Sequence, residues 1–472
     1  MKPAETSIFS MLFARLRCFL SGCFLVLILS AGVFAEEGTA FDTLADTPYG
    51  THGELSVTDS QLTDSSGELF QLRGVSTMNL AWGAEFINKE TFRTLRDNWN
   101  INTIRFAVYP TGDSGYCSLD DSGRLAYEEL LVNGVKDASE LGLYVIIDWH
   151  TLTEGDPSLS KDTAISFFQN LSWQLKDYGN VLYEICSTPN SVSWESVSAY
   201  AVDVIDAIRT NAPDSIIIVG TPNWSQDLEA AALAPISRDN LLYSLQFYAA
   251  SNGMELREAA QLAIQSDLPL IVTQFALNDS YGSSEIDIEQ GDFWLTFLEQ
   301  HRIGYVLWNL SASADNASLL VSDCTALSDW TDADLSETAL WYIDRLTDSE
   351  WLDSITPVVS SEPSVLWSLG NGSTAEITEI PNWYGDPASC EYIVTLNNPT
   401  AADIANWRIR FTWEQEIISV PEFWSCDIGG SGNSRLVISK EYNSVISSGS
   451  FTSFGFVVTG TSSPNLTALG VE

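Results

Sequence analysis

Between residues 55 and 346, short apolar segments alternate with amphipathic helical segments, and this alternation constrains the fold more than any other feature. The apolar segments are rich in β-branched and aromatic residues, which favour strands. They are Gln71–Ser76, Thr103–Tyr109, Tyr144–Trp149, Val181–Cys186, Ile216–Gly220, Leu242–Tyr248, Leu270–Phe275 and Gly304–Asn309. Eight strands separated by helices predict the α/β class and, within it, a closed (β/α)8 TIM barrel. Glu54–Val57 and Leu69–Leu72, separated by the turn Asp64–Gly67, predict a hairpin beneath the barrel floor.

The periodicity of the sequence changes after residue 362. Apolar and polar residues then alternate with period two between Gly, Asn and Ser turns, which predicts an all-β sandwich over residues 363–472. Its clearest predicted strands are Tyr392–Leu396, Trp407–Thr412, Arg435–Ser439 and Phe451–Thr459. The polar segment 347–362 contains Pro357 and predicts a linker. We therefore expect a barrel domain over residues 36–346, a short linker and a C-terminal sandwich.

The first 35 residues have the composition of a secretory signal peptide. Lys2, Arg15 and Arg17 precede the apolar run Cys18–Val33, and the segment ends in Gly32–Ala35, a small-residue cleavage site before Glu36. An uncleaved membrane anchor is the alternative, because the apolar run is near the lower length limit for a membrane span. We expect residues 1–35 to be removed and the protein to be secreted.

The acidic composition excludes several classes of partner. The chain has 63 Asp and Glu residues against 21 Lys and Arg residues, and its formal net charge is −42. Such a chain repels nucleic acid and anionic membranes, and no basic cluster offsets the repulsion. A neutral polysaccharide is not repelled. The plainest interpretation is that the acidity keeps a secreted protein soluble.

Five cysteines lie outside the predicted signal peptide, and their spacing matches no zinc motif: Cys117, Cys186, Cys324, Cys390 and Cys426. We expect neither a metal nor a cofactor. A disulfide is allowed in an exported protein. Cys390 with Cys426 is the favoured pair because both fall in the C-terminal domain.

Two strand-end segments of the barrel carry a resemblance to a known family. Tyr183–Asn190 reads YEICSTPN and resembles the YEIANEPN motif of glycoside hydrolase family 5, the cellulase family. Leu268–Phe275 reads LPLIVTQF and resembles the family's second motif, PIFVTEWG. The resemblance implies an acid/base glutamate at the first motif and a nucleophilic glutamate at the second. Thr188 and Gln274 occupy those two positions.

The same resemblance implies a sugar-binding set at the strand ends of the barrel. Arg105 matches the arginine that binds the nucleophile carboxylate, although here it is also free to bind Asp148. Tyr248 matches the tyrosine beside the nucleophile, and Trp308 matches the tryptophan beneath the sugar at the cleavage point. The full expected set is Trp82, Arg105, His150, Trp224, Tyr248 and Trp308.

Further departures from the family pattern lie close to the two missing glutamates. Ser187 replaces the asparagine next to the acid/base, and Gln246 replaces a family histidine. Without an acid or a nucleophile the family reaction loses both of its chemical steps. The sequence therefore predicts a catalytically inactive, cellulase-like protein, a pseudoenzyme that binds β-1,4-glucan.

Two alternatives stay open. One is an active endo-β-1,4-glucanase with displaced catalytic acids, supplied by the loop residues Glu154, Asp156 or Asp279. By period-two counting, Glu184 is expected to face away from the active site and to be structural. The other alternative is a structural barrel used for protein contacts.

The C-terminal domain resembles a second known family. The segments Tyr392–Asn398, Asn406–Phe411 and Ser453–Phe456 are similar to those of carbohydrate-binding module family 2. The resemblance implies a flat strip of three aromatic side chains that lies on cellulose. Trp383, Trp424 and Tyr442 match those positions, and each has polar, turn-forming neighbours. The expected partner of both domains is cellulose or a related β-1,4-glucan.

Overall fold

The computed structural model describes residues 44–112, 114–280, 285–314, 316–355, 365–381 and 386–471. The predicted signal peptide and Trp383 lie outside these residues. Residues 42–472 cluster as one compact unit. Across the described ranges, we find no helix that is both long enough and apolar enough to cross a membrane.

A small hairpin precedes the barrel and closes its floor. Its strands are β1 (Ser56–Thr58) and β2 (Gln61–Thr63). The predicted pairing of Glu54–Val57 with Leu69–Leu72 is wrong, because Asp59 and Ser60 adopt left-handed φ angles of 49° and 63° and turn the chain earlier. The floor cluster contains Leu55, Leu62, Phe70 and Leu72, packed against inward-facing barrel residues that include Ile146 and Ile218.

The predicted TIM barrel is confirmed. Eight parallel strands close in the order β10-β3-β4-β5-β6-β7-β8-β9. They are β3 (Arg73–Asn79), β4 (Thr103–Val108), β5 (Tyr144–His150), β6 (Val181–Ser187), β7 (Ile217–Gly220), β8 (Leu241–Tyr248), β9 (Leu270–Ala276) and β10 (Tyr305–Leu310). All residues of β4, β5 and β6 are buried, as expected of strands covered on both faces.

Helices cover the outside of the barrel and turn their apolar stripes towards the strands. They are α1 (Pro48–His52), α2 (Leu80–Gly83), α3 (Lys89–Trp99), α4 (Asp121–Glu140), α5 (Lys161–Gln174), α6 (Trp194–Arg209), α7 (Pro222–Ser225), α8 (Leu228–Leu233), α9 (Met254–Gln265), α10 (Ile288–Gln300), α11 (Glu337–Thr347) and α12 (Ser349–Ser354). Side-chain caps begin several of them: Asn88 accepts from Thr91 N, and Asp120 accepts from Gly123 N. Helix α12, capped by Asp348, occupies the first part of segment 347–362, for which the sequence predicts a linker.

The C-terminal region is an all-β domain, as predicted. Its strands are β11 (Val365–Ser368), β12 (Thr374–Pro381), β13 (Ser389–Asn397), β14 (Ile404–Ala405), β15 (Arg408–Trp413), β16 (Ile417–Ser419), β17 (Phe423–Trp424), β18 (Cys426–Gly429), β19 (Ser434–Ser439), β20 (Val445–Ile446), β21 (Phe451–Gly460) and β22 (Leu466–Val471). One sheet runs β11-β12-β13-β21-β16, with β17 also paired to β21, and another runs β18-β19-β15-β22. Between them, Trp413 Nε1 donates to Tyr392 Oη at 2.9 Å.

The favoured disulfide is wrong. Cys390 and Cys426 are both buried free thiols, and the other described cysteines, Cys117, Cys186 and Cys324, are free as well. Cys390 lies on β13 and Cys426 on β18, strands of two different sheets. Their thiols contact backbone carbonyl oxygens instead, those of Glu391 and Gly455. Both side chains act as small apolar fillers of the sandwich core.

Candidate functional site

A buried guanidinium ties four neighbouring strands together below the mouth of the barrel. Arg105 donates from Nε to Glu184 Oε2 and from Nη2 to Asp148 Oδ2, both at 2.7 Å. It also donates to the hydroxyls of Ser76 at 3.0 Å and Ser187 at 3.1 Å. Charge-assisted bonds of this kind are stronger and more directional than neutral ones. Strands β3 to β6 are thereby fixed relative to one another where the site begins.

One expectation about this cluster is confirmed and another is wrong. Arg105 binds Asp148, as the sequence allowed, and its hydrogen bonds go to these four partners and not to Gln274. Glu184 faces into the barrel, where its Oε1 accepts from Thr273 Oγ1 at 2.6 Å. Period-two counting fails here because the pairing register of β6 shifts between Glu184 and Cys186, and because Thr188 has a left-handed φ of 59°.

Burial sets the protonation of the cluster. It raises the pKa of Asp148 to about 7, against the opposing effects of Arg105 and of the Ser187 hydrogen bond. It also raises the pKa of Glu184, again opposed by Arg105. Burial and the nearby Arg105 lower the pKa of His150 to about 3, so the imidazole is neutral near pH 7. One guanidinium faces two buried carboxyl groups, and Asp148 therefore takes up a proton near neutral pH.

Aromatic rings are stacked above the charged cluster. The His150 ring lies parallel to the Tyr109 ring at 4.4 Å and to the Trp308 ring at 5.6 Å, measured between centroids. Trp82 approaches Tyr109 edge-on at 6.3 Å and is half exposed. Tyr248 packs against the same group. Trp82 is the open ring of this group, whereas His150 and Trp308 are buried.

The two positions at which the family resemblance implies glutamates, Thr188 and Gln274, lie at this mouth. Thr188 follows the end of β6 and donates its hydroxyl to the Ser187 carbonyl at 2.7 Å. Gln274 lies on β9, and its Nε2 donates to Tyr248 Oη at 3.1 Å. Gln246 on β8 donates to Thr273 Oγ1 at 3.2 Å. Both glutamine side chains are nearly buried, and the Oε1 atoms of both have no hydrogen-bond partner.

Trp224 lies at the rim. Its backbone N–H donates to the Pro189 carbonyl at 2.9 Å, which places it beside the end of β6. Asn223 and Trp224 both have left-handed backbone angles, and the Trp224 ring is half exposed. The structure thus brings five of the predicted sugar-binding residues to strand ends or loops on one side of the barrel, with Arg105 below them.

The loop after β5 contains two of the proposed displaced acids. Glu154 is held by two hydroxyl groups, because Thr111 donates to its Oε2 at 2.6 Å and Ser160 donates to its Oε1 at 3.1 Å. Asp156 instead caps the short turn Pro157–Ser160 by accepting from Ser158 N at 2.9 Å. Asp279 lies in the loop that follows β9. Glu154 is therefore the more rigidly oriented carboxylate of the first loop.

Sequence reasoning missed two contributors to the site. Tyr109 completes the ring stack with His150, and Thr273 joins Glu184 to Gln246. Tyr109 ends the predicted strand Thr103–Tyr109, so its place at the barrel mouth was available from the sequence. Over the described residues, no cluster of three or more His, Cys, Asp or Glu side chains could hold a metal ion.

The structure describes two of the three residues of the predicted cellulose strip. Tyr442 is 75% exposed, and its Oη donates to Ser425 Oγ at 3.0 Å. Trp424 is half buried, with its ring against Gly455 and facing helix α9 of the barrel. Trp383 lies outside the described residues. Of the two described aromatic side chains, Tyr442 is therefore open to solvent and Trp424 is partly enclosed.

Two family profiles match the chain. "Cellulase (glycosyl hydrolase family 5)" matches residues 63–314, and "Cellulose binding domain" matches residues 382–471. Endoglucanase A of Butyrivibrio fibrisolvens is 36% identical over 330 residues, covering 68% of this chain and 76% of that protein. Endoglucanase N of Pectobacterium atrosepticum is 36% identical over 303 residues, covering 63% of this chain and 66% of that protein. Both resemblances drawn from the sequence are confirmed.

Solved structures agree. Cellulase Cel5C_n superposes with a TM-score of 0.61 at 35% identity, covering 64% of this chain and 94% of that one. The catalytic domain of Thermobifida fusca endoglucanase Cel5A superposes with a TM-score of 0.60 at 32% identity, covering 64% of this chain and 99% of that one. That structure is a glutamate-to-glutamine variant in complex with cellotetraose.

These relatives correct the prediction that the chain is not an enzyme. Proteins 36% identical to it are named endoglucanases, and its structural neighbours are named cellulases and endoglucanases. The chain belongs to the cellulases of glycosyl hydrolase family 5, and a cellulose-binding domain follows its barrel.

Proposed function

We propose that this protein is an endo-β-1,4-glucanase with displaced catalytic acids and that its C-terminal domain holds it on cellulose. The observation that carries the proposal is the ring stack at the barrel mouth, directly above a buried cluster of polar groups. The proposed sugar-contacting set is Trp82, His150, Trp224, Tyr248 and Trp308, and Arg105 holds the polar cluster beneath them. The barrel domain spans residues 36–346, and the cellulose-binding domain spans residues 363–472.

Binding of a neutral sugar follows from two properties of the mouth. Flat aromatic faces stack on the C–H faces of pyranose rings and bury apolar area without needing charge. The acceptor atoms Asp148 Oδ1, Gln246 Oε1 and Gln274 Oε1 are buried without a hydrogen-bond partner. An unmet buried acceptor costs about 1–3 kcal/mol, so a ligand that donates hydroxyl groups there is favoured. A glucan chain supplies both the ring faces and the hydroxyl donors.

Hydrolysis requires a proton donor for the leaving oxygen and a second carboxylate that activates water or attacks the sugar. Thr188 and Gln274 do not ionise and supply neither. Asp148, whose pKa burial raises to about 7, meets the requirement for a proton donor near neutral pH. Glu154, fixed by Thr111 and Ser160, is the candidate second carboxylate.

The test measures reducing sugar released from carboxymethyl cellulose by the purified chain. We expect measurable turnover, and we expect Asp148→Asn and Glu154→Gln each to lower it by roughly 100-fold or more. Asp156→Asn is the matched control in the same loop, because asparagine caps a helical turn as well as aspartate does.

The outcomes test hydrolysis by the displaced acids separately from binding of the glucan. Absence of sugar release by the native chain, or retained release by both carboxylate variants, would overturn the assignment of displaced acids. Titration with cellotetraose then tests glucan binding by itself. Tyr442→Ala tests the cellulose surface, since this exposed ring is expected to contact the polymer together with Trp424 and Trp383.

We also propose that the protein is secreted and that residues 1–35 are its cleaved signal peptide. The acidic net charge of −42 suits a soluble protein that works on a neutral polymer. Sequencing of the amino terminus of protein recovered from the culture medium tests this. A secreted chain that begins near Glu36 is the expected result, and a chain retained with residue 1 in place would contradict it.

A further inference from the structure

A tryptophan of the cellulose-binding domain is covered by the barrel. Trp424 on β17 lies flat against β21, so close that a Cβ placed on Gly455 would lie 1.9 Å from Trp424 Cζ2. On its other side, Trp424 shares the lining of a small cavity with Met254, Arg257 and Glu258 of α9. The cavity has room for only about one or two water molecules, at 30 Å³. The ring therefore lies between the sheet and the helix.

Directional bonds hold this contact together. Arg257 Nη2 donates to Glu422 Oε1 at 3.2 Å, and the two side chains are only 8% and 14% exposed. Ser425 donates its hydroxyl to Glu258 Oε1. Glu422 and Ser425 flank Trp424 closely in sequence, so the polar partners of α9 lie on both sides of the ring. We call this set of contacts the joint.

Contacts within the barrel already fix the orientation of Arg257, the barrel residue of the ion pair. Arg257 Nη1 donates to Gln290 Oε1 at 3.0 Å, and its guanidinium lies 5.3 Å from the Phe293 ring centroid and 5.4 Å from that of Trp294. A guanidinium held in this way loses little further freedom when it meets Glu422. A mostly buried ion pair with additional partners is a defined contact rather than a chance approach of two surfaces.

We propose that helix α9 occludes the cellulose-binding face, so that crystalline cellulose and the barrel compete for Trp424. This rests on the proposed function, because Trp424 contacts cellulose only if the surface strip does. In the closed chain, Tyr442 is 75% exposed, while Trp424 is half buried and lines the cavity against α9. A flat crystal face reaches both rings only after α9 has moved away, so adsorption on cellulose opens the joint.

Competition of this kind has measurable consequences for the affinity for cellulose and for the packing of α9. A ligand that binds only the open form must first supply the free energy that holds the joint closed, so weakening the joint strengthens cellulose binding. By reciprocity, cellulose binding must loosen α9 by the same factor. Arg257 and Glu422 are suitable places to weaken the joint because neither belongs to the barrel mouth.

The experiment is a depletion isotherm of the full chain on microcrystalline cellulose. We expect Arg257→Ala and Glu422→Gln each to tighten binding by about fivefold or more, the lower end of typical coupling. Arg238→Ala is the matched control, because Arg238 pairs with Asp206 at an exposed site on the barrel. Trp424→Ala in the Arg257→Ala background should cancel the gain.

Each outcome decides something. Unchanged affinity in both joint variants would overturn occlusion, while a loss of binding in Trp424→Ala would still uphold the cellulose strip. A gain that survives Trp424→Ala would also overturn occlusion. If Trp424→Ala has no effect in either background, the strip itself is wrong and the inference falls with it. Hydrogen exchange of the native chain gives an independent reading: amides of residues 254–265 should lose protection on adsorption, and unchanged protection would contradict the inference.

Discussion

The imidazole of His150 lies parallel to the phenol ring of Tyr109, with 4.4 Å between the centroids and 5° between the planes. The imidazole in this pair is neutral, because burial and the nearby Arg105 lower the pKa of His150 to about 3. His150 Nδ1 lies 2.9 Å from Asp148 Oδ2 and 2.9 Å from Ser187 Oγ, which fixes the plane of the ring. The stack is therefore a rigid platform oriented by the charged cluster beneath it.

Removal of the outer ring should weaken glucan binding. Trp308→Ala is expected to lower affinity for cellotetraose about tenfold, or roughly 1.4 kcal/mol, because the sugar loses its stacking face. Calorimetric titration measures the change. Trp173→Ala is the control, since Trp173 is 60% exposed on α5 outside the mouth. Equal affinity of the two variants would remove Trp308 from the binding surface.

Restoring both family carboxylates should raise hydrolysis. Thr188→Glu with Gln274→Glu returns an acid and a nucleophile to the ends of β6 and β9, and Tyr248 Oη already lies 3.1 Å from the side chain at 274. We expect at least about a tenfold rise in kcat/KM for the double variant and little from either single change, because such groups act as a unit. A double variant that binds cellotetraose but gains no activity would show that the mouth needs more than two acids.

Asp148 should make the fold more resistant to acid. Its pKa is about 7 in the folded chain and about 4 when unfolded, so between these values the folded state binds the extra proton. The contribution of Asp148 to stability is full below pH 4 and is lost as the pH rises to 7. His150, with a lowered pKa, acts in the opposite sense. The native chain should therefore gain stability over Asp148→Asn as the pH falls from 7 to 4.

Thermal unfolding across that pH range measures the effect. Arg105 and Glu184 contact the same cluster, so the comparison is the change in the Tm difference with pH and not the Tm at one pH. A difference between native and variant that stays constant from pH 7 to pH 4 would contradict the raised pKa.

Gly455 should be required beneath Trp424. Gly455→Ala places a methyl group where the indole ring now lies, and we expect a loss of about 1–3 kcal/mol in unfolding free energy. Gly470→Ala on β22 is the control, because a Cβ there meets nothing within 4 Å. Trp424→Ala should relieve the penalty, since it removes the clashing atoms. Penalties that simply add in the double variant would refute the close contact.

Cellulose binding by the native chain should strengthen with pH. Burial, with Glu422 nearby, raises the pKa of Glu391 to about 8 in the closed joint, although Arg257 opposes the shift. In the closed form Glu391 keeps its proton up to about pH 8, whereas an exposed glutamate loses its proton near pH 4. The closed form is therefore destabilised relative to the open form as the pH rises from about 4 to about 8. Glu422 also faces the joint: burial raises its pKa, the ion pair with Arg257 lowers it, and Glu289 of α10 raises it. Glu258 of α9, its pKa raised by burial, faces the same joint.

Depletion isotherms at pH 5 and pH 8.5 test this. Affinity should be higher at pH 8.5 for the native chain, and the dependence should be shallower in Glu391→Gln, which keeps the shape but has no proton to lose. A native affinity that falls over this range would show that the joint does not open with pH.

The sequence predicts the barrel well because burial on both faces leaves a local pattern. Strand β4 begins at Thr103 and β5 begins at Tyr144, both as expected from apolar periodicity. The floor hairpin is missed because two non-glycine residues, Asp59 and Ser60, take up left-handed angles, whereas the sequence favours the glycine-containing turn Asp64–Gly67.

The sequence predicts which residues form the site but not which of them hydrogen-bond to one another. Strand-end position indicates His150 and Trp308 correctly, whereas the partners of Arg105 depend on a register shift in β6 that no local pattern reveals. The joint is a stronger case, because Arg257 and Glu422 are 165 positions apart and nothing near either residue indicates the pairing. The polar neighbours of Trp424 suggested exposure, yet they bind α9.

The hydrophobic floor of the barrel determines how a polymer can approach. Leu55, Leu62, Phe70 and Leu72 fill the lower end, and inward-facing side chains fill the interior above them. The barrel therefore has a single entrance and no passage, so a glucan cannot be threaded through it. A long glucan chain can only lie across the mouth with both of its ends free. This orientation places an internal bond of the polysaccharide at the mouth.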